Sequence, residues 1–170
     1  MGYQLIETIE VGSGGAASIE FTGIPQDGVD LQVLLSLRNS RAEYADSFYA
    51  TLNSSGTGYS RRNLRGYNGG VASNNASGET LIQADLFIPG TLATANTFSN
   101  GSLYLPNYTS SAAKSYSWDG VSENNAAQAG QNIQAGVWSG TDAITSIQMQ
   151  VFGGTFVEYS TASLYKITAD

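Results

Sequence analysis

The chain has 170 residues, a net charge of −7, and neither cysteine nor histidine. Without cysteine there is no disulfide scaffold, thiolate metal site or cysteine nucleophile; without histidine the commonest general base, the usual zinc ligand and every Ser-His-Asp arrangement are excluded. Charged residues make up only 12%, but apolar residues reach 41% and aromatics 11%, so the abundant Gly, Ser, Thr, Asn and Ala do not signal disorder.

This length predicts one domain, residues 1–170, that buries roughly 70% of its unfolded surface. The opening MGYQLIETIEVG has no basic region and no long apolar run, so it does not read as a signal peptide. No segment is long and apolar enough to read as a membrane span. The composition fits an extracellular or particle-surface β-protein; the lack of cysteine fits synthesis in a reducing cytoplasm, and release inside a virus particle would be one way out of the cell.

The dominant period is two. YQLIETIEV (Tyr3 to Val11) alternates, GSGGA makes a turn, and SIEFTGI begins a second strand. DLQVLLSLRN sets Leu31, Val33, Leu35 and Leu37 on one face. SFYATLN sets Phe48, Ala50 and Leu52 against Tyr49 and Thr51. YSRRNLRGYNGG holds a strand ending at Asn68-Gly69-Gly70, and VASNNASGETLIQADLFIPG reads as a long loop with one short ordered piece. Further strands follow around Leu103 to Leu105, in KSYSWDGVSE, in NIQAGVWSG, in ITSIQMQVFGG and in FVEYSTASLYKIT. The stretch from Ala126 toward Gly136 is rich in Asn, Gln and Gly and reads as loop with at most one helical turn. Eight or nine short strands divided by turn clusters predict an all-β fold, an antiparallel sandwich or barrel.

No catalytic constellation, cofactor motif or metal-ligand spacing emerges. VGSGGA follows a strand but lacks the Lys-Ser/Thr pair and helix of a P-loop, so it reads as a hairpin turn. Asp27 and Asp30 either start a turn or offer two carboxylates to a calcium ion. The remaining acids are scattered singly, without the facing pair that glycoside hydrolysis needs. Trp118 and Trp138 are either core or interface aromatics or a sugar-stacking platform.

Five of the seven basic residues, Arg38, Arg41, Arg61, Arg62 and Arg65, fall in one interval. With Glu43 and Asp46 that interval has a balance of +3, while the remainder sets two lysines against twelve acids. The overall charge opposes nucleic-acid binding. Two readings stand side by side: a basic face for contacts with an acidic partner or another copy, or a local Arg–Asp clasp that fixes a loop. Under the first, Tyr59 and Tyr67 flank the arginines at a subunit or capsid interface.

The segments IEFTGIPQDGVDLQVLLSLRNSRA, DSFYATLN, YSRRNLRG, TANTFSNGSLYLPNYTSSAAKSYSWDGVSENN, QAGVWSGTDAITSIQM and FVEYSTASLYKI, spanning Ile19 to Ile167, resemble a family of small virion structural proteins of tailed bacteriophages, many from aquatic and cyanobacterial phages. The resemblance implies a jelly-roll-like β-sandwich on the particle. It also implies a non-enzymatic capsid decoration (cement) protein, bound as a homotrimer to the major capsid protein on the outer shell. The alternative is a tail or fibre domain that binds a host-surface glycan through Trp118 or Trp138.

Overall fold

A computed structural model of the chain describes residues 2–169, with all side chains in that range except those of Leu86 and Phe87. The described residues form twelve strands and no helix: β1 (Gly2–Glu10), β2 (Ser18–Phe21), β3 (Asp30–Ser36), β4 (Asp46–Leu52), β5 (Tyr59–Tyr67), β6 (Gly70–Glu79), β7 (Ile82–Ile88), β8 (Asn100–Leu105), β9 (Lys114–Ser122), β10 (Gly130–Trp138), β11 (Ile147–Val151) and β12 (Thr161–Thr168). They build two antiparallel sheets, one ordered β1-β12-β3-β8-β9-β10-β5-β6 and the other β2-β11-β4-β7.

The pairing is nested. β3 lies beside β8, β4 beside β7 and β5 beside β6, so one long ribbon crosses from the large sheet to the small one and back. β2 with β11 and β1 with β12 continue the nesting from the chain ends. A ribbon wrapped over two sheets is the jelly-roll arrangement, and the fold is an all-β antiparallel sandwich.

Alternation decides which face each residue joins. In β9 every second residue from Lys114 to Ser122 is buried. Leu31, Val33, Leu103 and Leu105 from the large sheet meet Phe48, Ala50, Leu52, Ile147 and Met149 from the small one. Phe48 stacks on Trp118 with ring centres 5.0 Å apart, and Tyr59 stacks on Trp138 at 6.2 Å. Each such side chain contributes about 1.5–3 kcal/mol by leaving water.

Three or four strands more than the sequence pattern predicts arise mainly in the middle of the chain. The segment expected to be a long loop is β6 and β7. β6, GVASNNASGE, is the outer edge of the large sheet and is exposed along nearly its whole length, so it carries no alternation to read. Its pairing is set by the turn instead: Asn68 (φ 49°) and Gly69 (φ 78°) both take the left-handed backbone of a two-residue type I′ hairpin. The large sheet is four strands wider than the small one, and both of its edges, β1 and β6, are mostly exposed.

Candidate functional site

The expected arginine face does not form, because the fold sends the five guanidinium groups to different places. Arg38 is buried and donates to the carbonyls of Thr94 at 2.9 Å, Thr97 at 2.8 Å and Ala93 at 3.3 Å, closing the 93–97 loop. Burial lowers its pKa from the ordinary arginine value. Arg41 pairs with Asp46 at 3.2 Å and Glu43 at 3.5 Å, and lies over the Phe152 ring at 5.1 Å. This is the local clasp. Asp46 also accepts from Asn39 Nδ2 at 2.9 Å and from the Ser47 amide at 2.7 Å.

The other three sit on β5, where the two-residue period separates them. Arg61 and Arg65 point inward and share Asp85 of β7, at 3.7 and 3.6 Å, and Arg61 also donates to the Gln83 carbonyl at 2.9 Å. Arg62 points the other way and is exposed, with no hydrogen-bond or ionic partner among the described residues. Tyr59 is core, its hydroxyl accepting from the Leu52 amide at 2.8 Å. Tyr67 is half-buried at the end of β5. Of the expected interface residues, Arg62 and Tyr67 remain available; Arg38, Arg41, Tyr59, Arg61 and Arg65 are committed to the fold.

The tryptophan platform is likewise absent. Trp118 is 1% and Trp138 4% exposed, because both share the inward parity of β9 and β10. Asp27 and Asp30 are also engaged. Asp27 takes Lys166 Nζ at 2.6 Å, and this hydrogen bond lowers its pKa. Asp30 accepts from the Tyr104 hydroxyl at 2.6 Å and the Asn107 amide at 2.9 Å. A lysine on one carboxylate and a tyrosine on the other leave no calcium cage between them. Among the described residues there is no group of three or more acidic side chains that would hold a metal.

What remains for function is the uncovered face of the large sheet. One cross-strand row runs Leu34, Ser102, Asp119, Ile133, Leu64, Ser73. Ile133 is 60% exposed and sits directly opposite Leu64, at 48%. The next row runs Val121, Gln131, Gly66, Val71, with Val71 77% exposed. A shallow depression of about 590 Å³ surrounds Arg62 between Asn75, Ala135 and Val137.

Sequence reading also missed a polar strip on the inner face. Asn63, Asn132, Gln134 and Ser122 are all at most 5% exposed. Both amide atoms of Asn63 and of Asn132, the Gln134 Oε1 and the Ser122 hydroxyl have no hydrogen-bond partner within the described residues. The available signal was parity: Asn132 and Gln134 keep step with Trp138, which the core requires.

No known protein family matches the chain, and no curated protein matches it. Among solved structures, it is similar to exo-inulinase from Aspergillus awamori at 16% identity and a TM-score of 0.44, over 99% of this chain but only 29% of that enzyme. It is similar to the galectin LEC-6 of Caenorhabditis elegans at 14% identity and a TM-score of 0.34, over 92% of this chain and 94% of the galectin. A protein of unknown function from Shewanella oneidensis MR-1, SO2946, shows 13% identity and a TM-score of 0.33 over 99% of this chain and 77% of its own.

Proposed function

We propose that this chain is a non-enzymatic structural protein of a tailed-phage particle, a decoration protein that docks as a homotrimer on the outside of the major capsid shell and stabilises it. The observation that carries the reading is the exposed Leu64–Ile133 pair on adjacent strands β5 and β10 of the uncovered face of the large sheet, with Val71 and Val121 in the next row. Exposed apolar side chains grouped this way favour protein contact. Leu64 and Ile133 are already about half buried, so covering the rest of each contributes roughly 1 kcal/mol. A closed trimer presents the face three times, and a ligand that binds only the assembled shell stabilises it by mass action. The likeness of the segments from Ile19 to Ile167 to phage virion proteins supports the same reading.

The contact is apolar and not arginine-driven. The test is sedimentation of purified protein with undecorated mature capsids. Wild type co-sediments, and a Leu64→Glu/Ile133→Glu double variant stays in the supernatant while melting at the wild-type temperature. Undiminished co-sedimentation of that variant overturns the assignment of the face.

A further inference from the structure

β6 is the outer edge of the large sheet, and from Gly70 to Gly78 it has neither a charged residue nor a proline. All of that stretch except Ala76 is exposed. The other three sheet edges are guarded. β1 has a bulge between Leu5 and Glu7 and carries Glu7 and Glu10. β2 is only four residues long and carries Glu20. β7 carries Asp85, and Arg61 takes up its Gln83 carbonyl at 2.9 Å. Charge, bulges and short length keep a foreign strand off an edge, and a bare edge invites one.

The hairpin fixes which backbone groups of β6 are free. Tyr67 and Gly70 flank the two-residue turn and form the hydrogen-bonded pair that closes it. Bonded and non-bonded pairs alternate from there, so Ala72, Asn74 and Ala76 bond to β5. The amides and carbonyls of Val71, Ser73, Asn75 and Ser77 therefore point off the sheet. This run ends at the bulge where Gly78 (φ 70°) interrupts the register.

We propose that β6 pairs antiparallel with β6 of a second copy across a two-fold axis, joining two large sheets into one. The strand suits itself as a partner. Centred on Asn74, the register sets Asn74 against Asn74, Ala72 against Ala76, Ser73 against Asn75 and Val71 against Ser77, so no like charges are opposed. It makes about eight backbone hydrogen bonds, more than a register centred on Ser73 or Asn75. A chain of net charge −7 repels its copies, and the repulsion is least along an uncharged edge whose neighbouring strand carries the unpaired Arg62. The two-fold axis passes through the sheet, so both copies keep Leu64 and Ile133 on the same side, and the contact covers neither. It is additional to any threefold contact and stands without capsid docking.

The test is oxidative cross-linking of the purified full chain, read as covalent dimer on a denaturing gel. The chain has no cysteine, so one introduced thiol reports the contact alone. Asn74 is exposed and opposes its own copy as a non-bonded pair, with Cα atoms about 4.5 Å apart, within the reach of a disulfide. Val71, six residues from its opposite position, lies roughly 20 Å from its copy. Asn74→Cys is expected to form the dimer at least about tenfold faster than Val71→Cys. Adding Ser73→Pro to Asn74→Cys blocks a free-edge amide without removing a bond to β5. Adding Asn75→Lys instead puts a charge on the edge and leaves the backbone alone. Each addition is expected to abolish the rate advantage, Asn75→Lys at an unchanged melting temperature. Equal rates for Asn74→Cys and Val71→Cys, no dimer from Asn74→Cys, or an advantage that survives Asn75→Lys overturns the proposal.

Discussion

Asp85 lies 3.7 Å from Arg61 across the gap between the two sheets, with both side chains about nine-tenths buried, and Arg65 approaches the same carboxylate at 3.6 Å. One acid thus holds two of the clustered arginines. Removing it leaves the buried Arg61 guanidinium without its carboxylate inside the sandwich, which is far costlier than losing an exposed pair. Asp85→Ala is expected to destabilise the fold by about 3 kcal/mol in denaturant titration. Arg62→Ala, on the outward side of the same strand, is expected to stay within about 0.5 kcal/mol.

Gly136 faces Tyr116 across β9 and β10, and a β-carbon there would fall 2.0 Å from the Tyr116 ring. The ring is held by its hydroxyl, which donates to the Ser60 carbonyl at 3.2 Å and accepts from Gln134 Nε2 at 3.3 Å. Gly136→Ala is therefore expected to cost about 2–3 kcal/mol. Combining it with Tyr116→Ala is expected to cost less than the sum of the two single changes, as a double-mutant cycle by thermal melting would show.

Much of the fold was legible wherever a strand has one buried face. Phe48, Ala50 and Leu52 in β4, and Tyr116 and Trp118 in β9, announce their strands by alternation. β6 was not legible, because an edge exposed on both faces places no demand on its sequence; only Asn68-Gly69 marked it. The arginine cluster misled for a related reason. Proximity in sequence says nothing about parity, and β5 turns Arg61 and Arg65 inward while turning Arg62 out. The exposed apolar pair could not be read either, since Leu64 and Ile133 meet only through the register of β5 and β10.

Asn132 is 1% exposed and neither atom of its amide has a partner among the described residues. Replacing such a group with an apolar side chain of similar volume forfeits no hydrogen bond and removes a desolvation cost. Asn132→Leu is expected to leave stability unchanged or raise it by about 1 kcal/mol. A loss of more than that amount in denaturant titration would show that the amide has a structural partner.

Two tyrosines set an alkaline limit. The hydrogen bond to Asp30 raises Tyr104 from 10.0 to about 12, and burial raises Tyr116 to about 12. Folded-state values above the unfolded one mean that the native state holds these protons longer. Their contribution is fully present below pH 10.0 and is lost as pH rises toward about 12. Stability measured against pH is expected to fall through that window, with a shallower fall for Tyr104→Phe. Asp27 acts at the acid end: Lys166 lowers its pKa, so its contribution holds above the usual carboxylate range and disappears as pH falls through the lowered value.

Cryo-electron microscopy of the intact particle tests the central claim most directly. Threefold density on the capsid shell that fits this sandwich, with Leu64 and Ile133 turned toward a shell or sister subunit, is the predicted result. Density at the tail tip, or on the shell with that face turned to solvent, would contradict it.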